Sequence, residues 1–147
     1  MKISEFLSPT ETLLNVRASD KEQLLQELAR NAASKVKLSE GDIVTELLKR
    51  EELGSTGMGN GVAIPHARFP AIEKPFGIMA RLKQPIDFNA IDGQLVDIVF
   101  VLLLPAAAEK EQLGALACVA RKLRGTDDLV QLRHAKNAPE LYAALIG

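Results

Sequence analysis

A single cysteine, Cys118, occurs in the 147 residues, and one thiol cannot form an internal disulfide. Tryptophan is absent, and the longest strongly apolar run, IVFVLLLP at 98–105, is far shorter than the roughly 20 residues that a transmembrane helix needs. The first residues, MKISEFLSPTETLL, lack the apolar segment of a secretory signal. These absences predict a cytoplasmic protein that does not insert into a membrane.

The chain also lacks a charge excess, since its formal net charge is −1. This balance argues against a protein that binds nucleic acid or an anionic membrane mainly through charge. Only two histidines are present, and neither has cysteine or carboxylate residues at ligand spacing, so no metal site is expected. No repeat or linker interrupts the chain, and 47% of its residues are apolar, which predicts a single domain over 1–147.

Apolar periodicity predicts three substantial helices. The first covers 19–36 and is expected to begin with a capping box of Ser19 and Glu22. The second covers 39–50, and the third runs over about 109–124 and stops at a glycine. The inward face of the third helix is predicted to contain Leu113, Leu116, Ala117, Ala120 and Leu123. Two short helices are expected to complete the chain.

Two apolar segments predict strands, at 76–82 and 97–104. The second is apolar at every position after its first residue, as a central strand covered on both faces would be. Residues 11–16 are expected to form an edge strand. Because helices stand before, between and after these strands, the predicted fold is a three-layer α/β sandwich. It has a mixed sheet of about five strands, flanked by helices on both faces.

The segment LGSTGMGNGVAIPHAR, at 53–68, is the most informative part of the sequence, with four glycines shortly before Pro65 and His66. Glycines permit backbone conformations that expose N–H groups to an anion, so anion binding is the first functional interpretation. A Walker A loop is excluded because no lysine is present, and a dinucleotide loop because β-like residues, rather than a helix, follow the glycines. No cofactor is therefore expected. A flexible surface loop with an incidental histidine is the plain alternative.

Neighbouring residues favour a chemical role for His66. Neutral imidazole is a good nucleophile near pH 7, so His66 is a candidate for phosphorylation on a ring nitrogen. Arg50, at the end of the preceding predicted helix, would stabilise a phosphoryl group without accepting it. Ser55 and Thr56 offer hydroxyl groups as further phosphate ligands. The second histidine, His134, lies in a polar segment and is expected to be solvated.

The same segment resembles the active-site motif of the IIA domains of the bacterial phosphoenolpyruvate phosphotransferase system, in the fructose–mannitol class. The resemblance continues in PIDFNAIDGQLVDIVFVLLLP and LGALACVARKLR, and it is strongest to the nitrogen-related branch. It implies a phosphotransferase in which His66 receives a phosphoryl group from an HPr-like phosphocarrier. It also implies that Arg50 neighbours the phosphate and that the phosphorylated state signals to regulatory protein targets.

One position departs from this family. Its members commonly have a second histidine at the start of the long helix, where this chain has Gln112. The resemblance therefore predicts that Gln112 lies near His66 and donates a neutral hydrogen bond to the phosphoryl group.

Two alternatives to a phosphorylated regulator stay open. One is a sugar-transport IIA subunit that passes its phosphoryl group to a IIB domain. The other is a protein-binding module in which phosphorylation is vestigial. Retention of Arg50, Ser55, Thr56 and His66 favours phosphoryl transfer. The absence of a fused membrane or HPr-like domain favours regulation over transport.

Overall fold

Six strands form one mixed sheet in the computed structural model, which describes residues 1–147. They are β1 Thr12–Val16, β2 Gly57–Gly59, β3 Val62–Ala63, β4 His66–Phe69, β5 Phe76–Ile86 and β6 Val96–Pro105. The strand order is β1-β5-β6-β3-β2, and β4 also pairs with β6. Strands β1 and β5 are parallel, β5 and β6 are antiparallel, and both β3 and β4 run parallel to β6.

Five α-helices cover this sheet. They are α1 Lys21–Ala33, α2 Glu40–Glu52, α3 Glu109–Arg124, α4 Thr126–His134 and α5 Ala138–Ile146. Short 3-10 turns at Ile3–Glu5 and Pro9–Glu11 precede β1. The bounds of the long third helix match its prediction, because acidic residues in its first turn, basic residues in its last turn and Gly125 mark both ends.

Two apolar clusters lie on opposite faces of the sheet. Along β6, Val99, Val101 and Leu103 pack under α1 and α2, while Ile98, Phe100, Leu102 and Leu104 pack under α3, α4 and α5. Side chains alternate between faces along a strand, so a strand in the middle layer must be apolar at every position. The predicted three-layer sandwich with a mixed sheet and the predicted edge strand near the N-terminus are therefore confirmed.

Three details differ from the sequence predictions. The sheet has six strands, and the sequence located only three of them, because β2 and β3 form within the glycine segment and β4 directly follows it. Helix α1 is capped by Asp20, whose carboxylate accepts from the Gln23 N–H at 2.8 Å, and not by Ser19. The predicted inward face of α3 is rotated by about one residue: Leu113 is 62% exposed and Ala117 is exposed, while Ala115 and Val119 are buried.

Candidate functional site

His66 is the first residue of β4, and the edge of this strand opposite β6 is unpaired. Its backbone lies in register with Leu102 of β6. Ala67 and Phe69 pack under α1 and α2, so strand alternation directs His66 and Arg68 to the face that α3 covers. The His66 side chain is partly buried. His66 therefore lies in a strand at the open edge of the sheet and keeps part of its side chain exposed.

A single hydrogen bond selects the tautomer of His66. Its Nδ1 lies 2.7 Å from the carbonyl oxygen of Ile64, two residues earlier. A carbonyl oxygen only accepts, so Nδ1 carries the proton and donates it. In the neutral ring the lone pair is then on Nε2. The geometry thus leaves Nε2 as the nucleophilic atom.

Burial and charge both favour the neutral form of this ring. Desolvation is the largest effect and lowers the pKa of His66 below its ordinary value of 6.5. The Ile64 carbonyl and Glu51 act in the opposite direction, whereas the positive charges of Arg50 and Arg68 lower the pKa further. The net shift is downward, so His66 is mostly neutral at pH 7.

Arg50 is in the last turn of α2, as predicted, and its charge acts on His66. Its Nη1 donates to the carbonyl of Gly54 at 2.8 Å, which holds the guanidinium group against the start of the glycine segment. A guanidinium has five N–H donors, so this bond leaves others for an anion. The arrangement supplies a permanent positive charge near the acceptor.

The hydroxyl groups of Ser55 and Thr56 are bonded within the protein. Ser55 donates to the carbonyl of Phe88 and accepts from the Gly57 N–H at 3.0 Å. Thr56 donates its hydroxyl hydrogen to the buried carboxylate of Glu51, which also accepts the Thr56 N–H at 3.1 Å. Each hydroxyl has one hydrogen, so neither is free to donate to a phosphoryl group in this structure.

Gln112 is buried in the first turn of α3, and its amide nitrogen donates to two main-chain carbonyls. The acceptors are Pro105, at 2.8 Å, and Ala106, at 3.2 Å. Pro105 pairs with Phe69, three residues beyond His66, which is about 10 Å farther along the strand. The amide group is therefore committed to the last residue of β6 and to the first residue of the loop that follows it.

The glycine segment is a tied hairpin and not a flexible loop. At its tip, the N–H of Asn60 donates to Asp92 at 3.0 Å, and Arg133 donates to the Asn60 carbonyl. Gly61 has φ +79°, and a Cβ there would lie 2.5 Å from Nη2 of Arg133 and 2.9 Å from Oδ1 of Asp97. The glycines thus serve turn geometry and close packing, and the tied hairpin gives Pro65 and His66 a fixed starting point.

The carboxylate of Asp92 is fully exposed, and two backbone N–H groups, those of Asn60 and Gln94, hold its pKa below the ordinary value. The pKa shift follows because these bonds favour the charged form. The bond to Asn60 therefore persists at neutral pH and weakens only in acid.

Two residues of the site were missed from the sequence. Arg68 lies two positions after His66, and the rule that residues i and i+2 share a face of a strand would have found it once β4 was assigned. Glu51 follows Arg50 in α2 and is buried, whereas glutamate next to a helix end is ordinarily exposed. Only the packing of α1 and the hairpin against α2 identifies Glu51.

No group of three or more histidine, cysteine, aspartate or glutamate side chains is placed to bind a metal ion. None of the helices combines the length and the apolar character needed to cross a bilayer.

The chain resembles known proteins over nearly its whole length. The model of the family described as "Phosphoenolpyruvate-dependent sugar phosphotransferase system, EIIA 2" matches residues 5–146. The chain is 45% identical to the nitrogen regulatory protein of Bradyrhizobium diazoefficiens over 145 residues, which cover 99% of this chain and 95% of that protein.

Two solved structures share the fold. Nitrogen regulatory protein IIA-Ntr of Neisseria meningitidis superposes with a TM-score of 0.93 at 34% identity, over 97% of this chain and 98% of that one. Enzyme IIAMTL of Escherichia coli, solved in complex with phosphorylated enzyme IIBMTL, has a TM-score of 0.75 at 18% identity and covers 95% of this chain and 97% of that one. The second likeness concerns the fold alone. By its family match and by its identity to the nitrogen regulatory protein, this chain belongs to the EIIA type 2 family of the phosphoenolpyruvate-dependent sugar phosphotransferase system.

Proposed function

We propose that this chain is a regulatory phosphoryl-transfer protein, which accepts a phosphoryl group on Nε2 of His66. The observation that carries the proposal is the hydrogen bond from Nδ1 to the Ile64 carbonyl, which leaves Nε2 as the free lone pair of a partly buried, neutral ring. The family match and the nitrogen regulatory relatives support this role.

The transfer step needs no cofactor from this chain. The lone pair of Nε2 attacks the phosphorus of a phosphohistidine on the donor. The P–N bond of the donor breaks, and its electron pair returns to the donor's ring nitrogen. The proton on Nδ1 stays in place, so the His66 ring gains a positive charge. The Ile64 carbonyl stabilises that charge because it already accepts the Nδ1 hydrogen.

Arg50 is the proposed phosphate-binding residue. Its guanidinium cannot lose its proton, and it provides donors that match two phosphoryl oxygens at once. Arg68 adds a second positive charge from the same face of β4 as His66. Ser55 and Thr56 contribute indirectly: their bonds to Phe88 and Glu51 hold the start of the hairpin. A direct contact with phosphate would require each hydroxyl to exchange its present acceptor.

The proposed donor is an HPr-like phosphocarrier in the cytoplasm, itself phosphorylated on histidine. The open edge of β4 provides the approach that two histidines need for a direct transfer. Phosphorylation then adds negative charge at this edge, and partner proteins distinguish the two states by that charge. Enzyme IIAMTL of Escherichia coli, which shares this fold, was solved in complex with phosphorylated enzyme IIBMTL.

The experiment that tests this function is transfer from a purified phosphocarrier. Incubation with phosphoenolpyruvate, the first enzyme of the system and an HPr-like carrier is expected to give one acid-labile phosphate on this chain, attached to Nε2. A carrier without its own acceptor histidine is the control. Retention of all label on the intact carrier after mixing would contradict the proposal.

We further propose that Gln112 holds the loop between β6 and α3 and does not bind phosphate. Replacing it with alanine leaves the carbonyls of Pro105 and Ala106 without their donor, so Gln112→Ala is expected to lower the free energy of unfolding by about 1–3 kcal/mol. Urea unfolding measures this loss. Gln131→Ala, at an exposed position of α4, is the matched control and is expected to stay close to the wild type.

The phosphoryl-transfer rate of Gln112→Ala separates the two roles. A loop-holding role leaves transfer near the wild-type rate under conditions where the variant is folded. A variant with wild-type stability and slow transfer would show instead that Gln112 contacts the phosphoryl group, as the resemblance predicts.

A further inference from the structure

A buried charge pair lies behind the acceptor site. Lys21, in the first turn of α1, and Glu51, in the last turn of α2, approach to 3.1 Å between Nζ and Oε1. Their side chains are 17% and 4% exposed, so water screens this pair much less than the surface pairs of α1 and α2. The Lys21 ammonium also lies 4.7 Å from the centre of the Phe88 ring. Lysine and glutamate are almost never buried to this extent without a specific arrangement.

The Glu51 carboxylate uses both of its oxygens on the glycine segment. Oε1 accepts the Thr56 N–H in addition to Lys21, and Oε2 accepts the Thr56 hydroxyl. Thr56 directly precedes β2, and its carbonyl accepts the Ile64 N–H at 3.1 Å. Since Ile64 in turn accepts the His66 Nδ1 hydrogen, a continuous chain of bonds runs from Lys21 to the acceptor ring.

Glu51 also supplies the negative charge that acts on the acceptor. Arg50 on α2 and Arg68 on β4 are the positive charges acting on His66, and Glu51 opposes both. The neighbouring strand β6 places the apolar Leu102 in register with the ring. Lys21, on α1, is the cation in contact with Glu51 and limits how much of its charge reaches His66.

We propose that Glu51, held by Lys21, is a positioning residue of the acceptor site: it anchors the hairpin through Thr56 and balances the two guanidinium groups beside His66. This inference rests on the proposed function, because the pair can position an acceptor only if His66 accepts a phosphoryl group. It differs from a purely structural ion pair in one respect. Changing either partner must alter the protonation of His66, and the two changes must act in opposite directions.

The test is a pH titration of the His66 ring signals by NMR, on unphosphorylated protein. Wild type is expected to titrate below pH 6.5. Glu51→Gln keeps the side-chain shape but removes a negative charge, so its midpoint is expected to fall by about 0.5 pH unit or more. Lys21→Met leaves the Glu51 charge unopposed, so its midpoint is expected to rise, by less than Glu51→Gln lowers it, because Lys21 acts on the ring only through Glu51. The acid limb of the plot of phosphoryl-transfer rate against pH is expected to move in the same direction as the midpoint in each variant.

Glu11→Gln is the matched control. Glu11 is 5% exposed, accepts hydroxyl bonds from Ser8 and Thr10, and lies 3.8 Å from Lys35, but its charge does not act on His66. This variant is expected to lose stability without moving the His66 midpoint.

Unchanged midpoints, or shifts in the same direction for both variants of the pair, would overturn the proposal. If Glu51→Gln does not fold, Lys21→Met alone decides by the sign of its shift. The titration requires no phosphoryl donor, so a wild-type chain that accepts no phosphate contradicts only the proposed function.

Discussion

Replacing His66 with alanine is expected to abolish phosphorylation of the chain. The ring provides the nucleophilic Nε2, and no hydroxyl of the site is free to replace it. Loss of the nucleophile removes the covalent step itself, so the expected effect is a fall below detection and not a slower rate. The measurement is incorporation of label from a phosphorylated HPr-like carrier, with the acid-labile product located by peptide mapping.

His134→Ala is the matched control for this experiment. His134 also places its Nδ1 2.7 Å from a carbonyl, that of Val130, so its tautomer is set in the same way as that of His66. It lies at the exposed end of α4, however, and its ring hydrogen bond stays within that helix. This variant is expected to accept phosphate at the wild-type level. Full labelling of His66→Ala, or loss of labelling in His134→Ala, would show that the acceptor has been misplaced.

His66→Asn tests whether the effect of alanine is chemical or structural. The asparagine amide restores an N–H donor for the Ile64 carbonyl but offers no nucleophilic nitrogen. This variant is expected to unfold at a urea concentration near that of the wild type and to remain unlabelled. Any labelling of a stable His66→Asn protein would show that the phosphoryl group is not attached to the His66 imidazole.

Arg50→Ala is expected to slow phosphoryl transfer by about tenfold or more, because one charge-assisted hydrogen bond is worth about 1.5–3 kcal/mol. The guanidinium charge already acts on His66 in the unphosphorylated protein, and we propose that it acts on the incoming phosphoryl group as well. Arg50→Lys is expected to recover only part of the rate, because lysine keeps the charge but lacks the two-pronged geometry. Single-turnover transfer measured by rapid quenching gives these rates.

Lys49→Ala controls for the loss of a cation from the same turn of α2. Lys49 is exposed and pairs with Glu46 at the surface, so its removal is expected to leave transfer unchanged. The bond from Arg50 to the Gly54 carbonyl is also lost in Arg50→Ala, and urea unfolding measures that structural cost separately. An Arg50→Ala protein that transfers at the wild-type rate would exclude Arg50 from the site.

The layers of the fold follow from local patterns. Strand β6 was predicted because nearly every position of 97–104 is apolar, and the structure buries this segment on both faces. Helix α2 was predicted from Ser39 as its cap, and the Ser39 hydroxyl accepts the Asp42 N–H at 3.1 Å. Strands β2, β3 and β4 were not located from the sequence, although the residues after the glycines are β-like. Glycine weakens any strand pattern, β2 pairs only with β3, and β3 and β4 depend on β6.

Apolar periodicity does not determine which face of α3 is buried. Its sequence has apolar residues around most of the helix, so two adjacent stripes fit the pattern almost equally well. Packing against β6 selected the stripe that includes Ala115 and Val119, because small and branched side chains let the helix approach the sheet. Leu113 was left at the surface as a result.

The sequence by itself determined the class of fold, the family and the candidate acceptor, since apolar periodicity, helix caps and the glycine–Pro65–His66 pattern all lie within short stretches of chain. The tertiary structure decided which groups are free to act. Ser55 bonds to a carbonyl 33 residues away, and Glu51 bonds to a lysine 30 residues away. A hydrogen-bonding group has few partners, and folding chooses them by position in space and not by order in the chain. The hydroxyls that seemed available in the sequence were therefore already occupied, and a glutamate with no sequence signal became a neighbour of the acceptor.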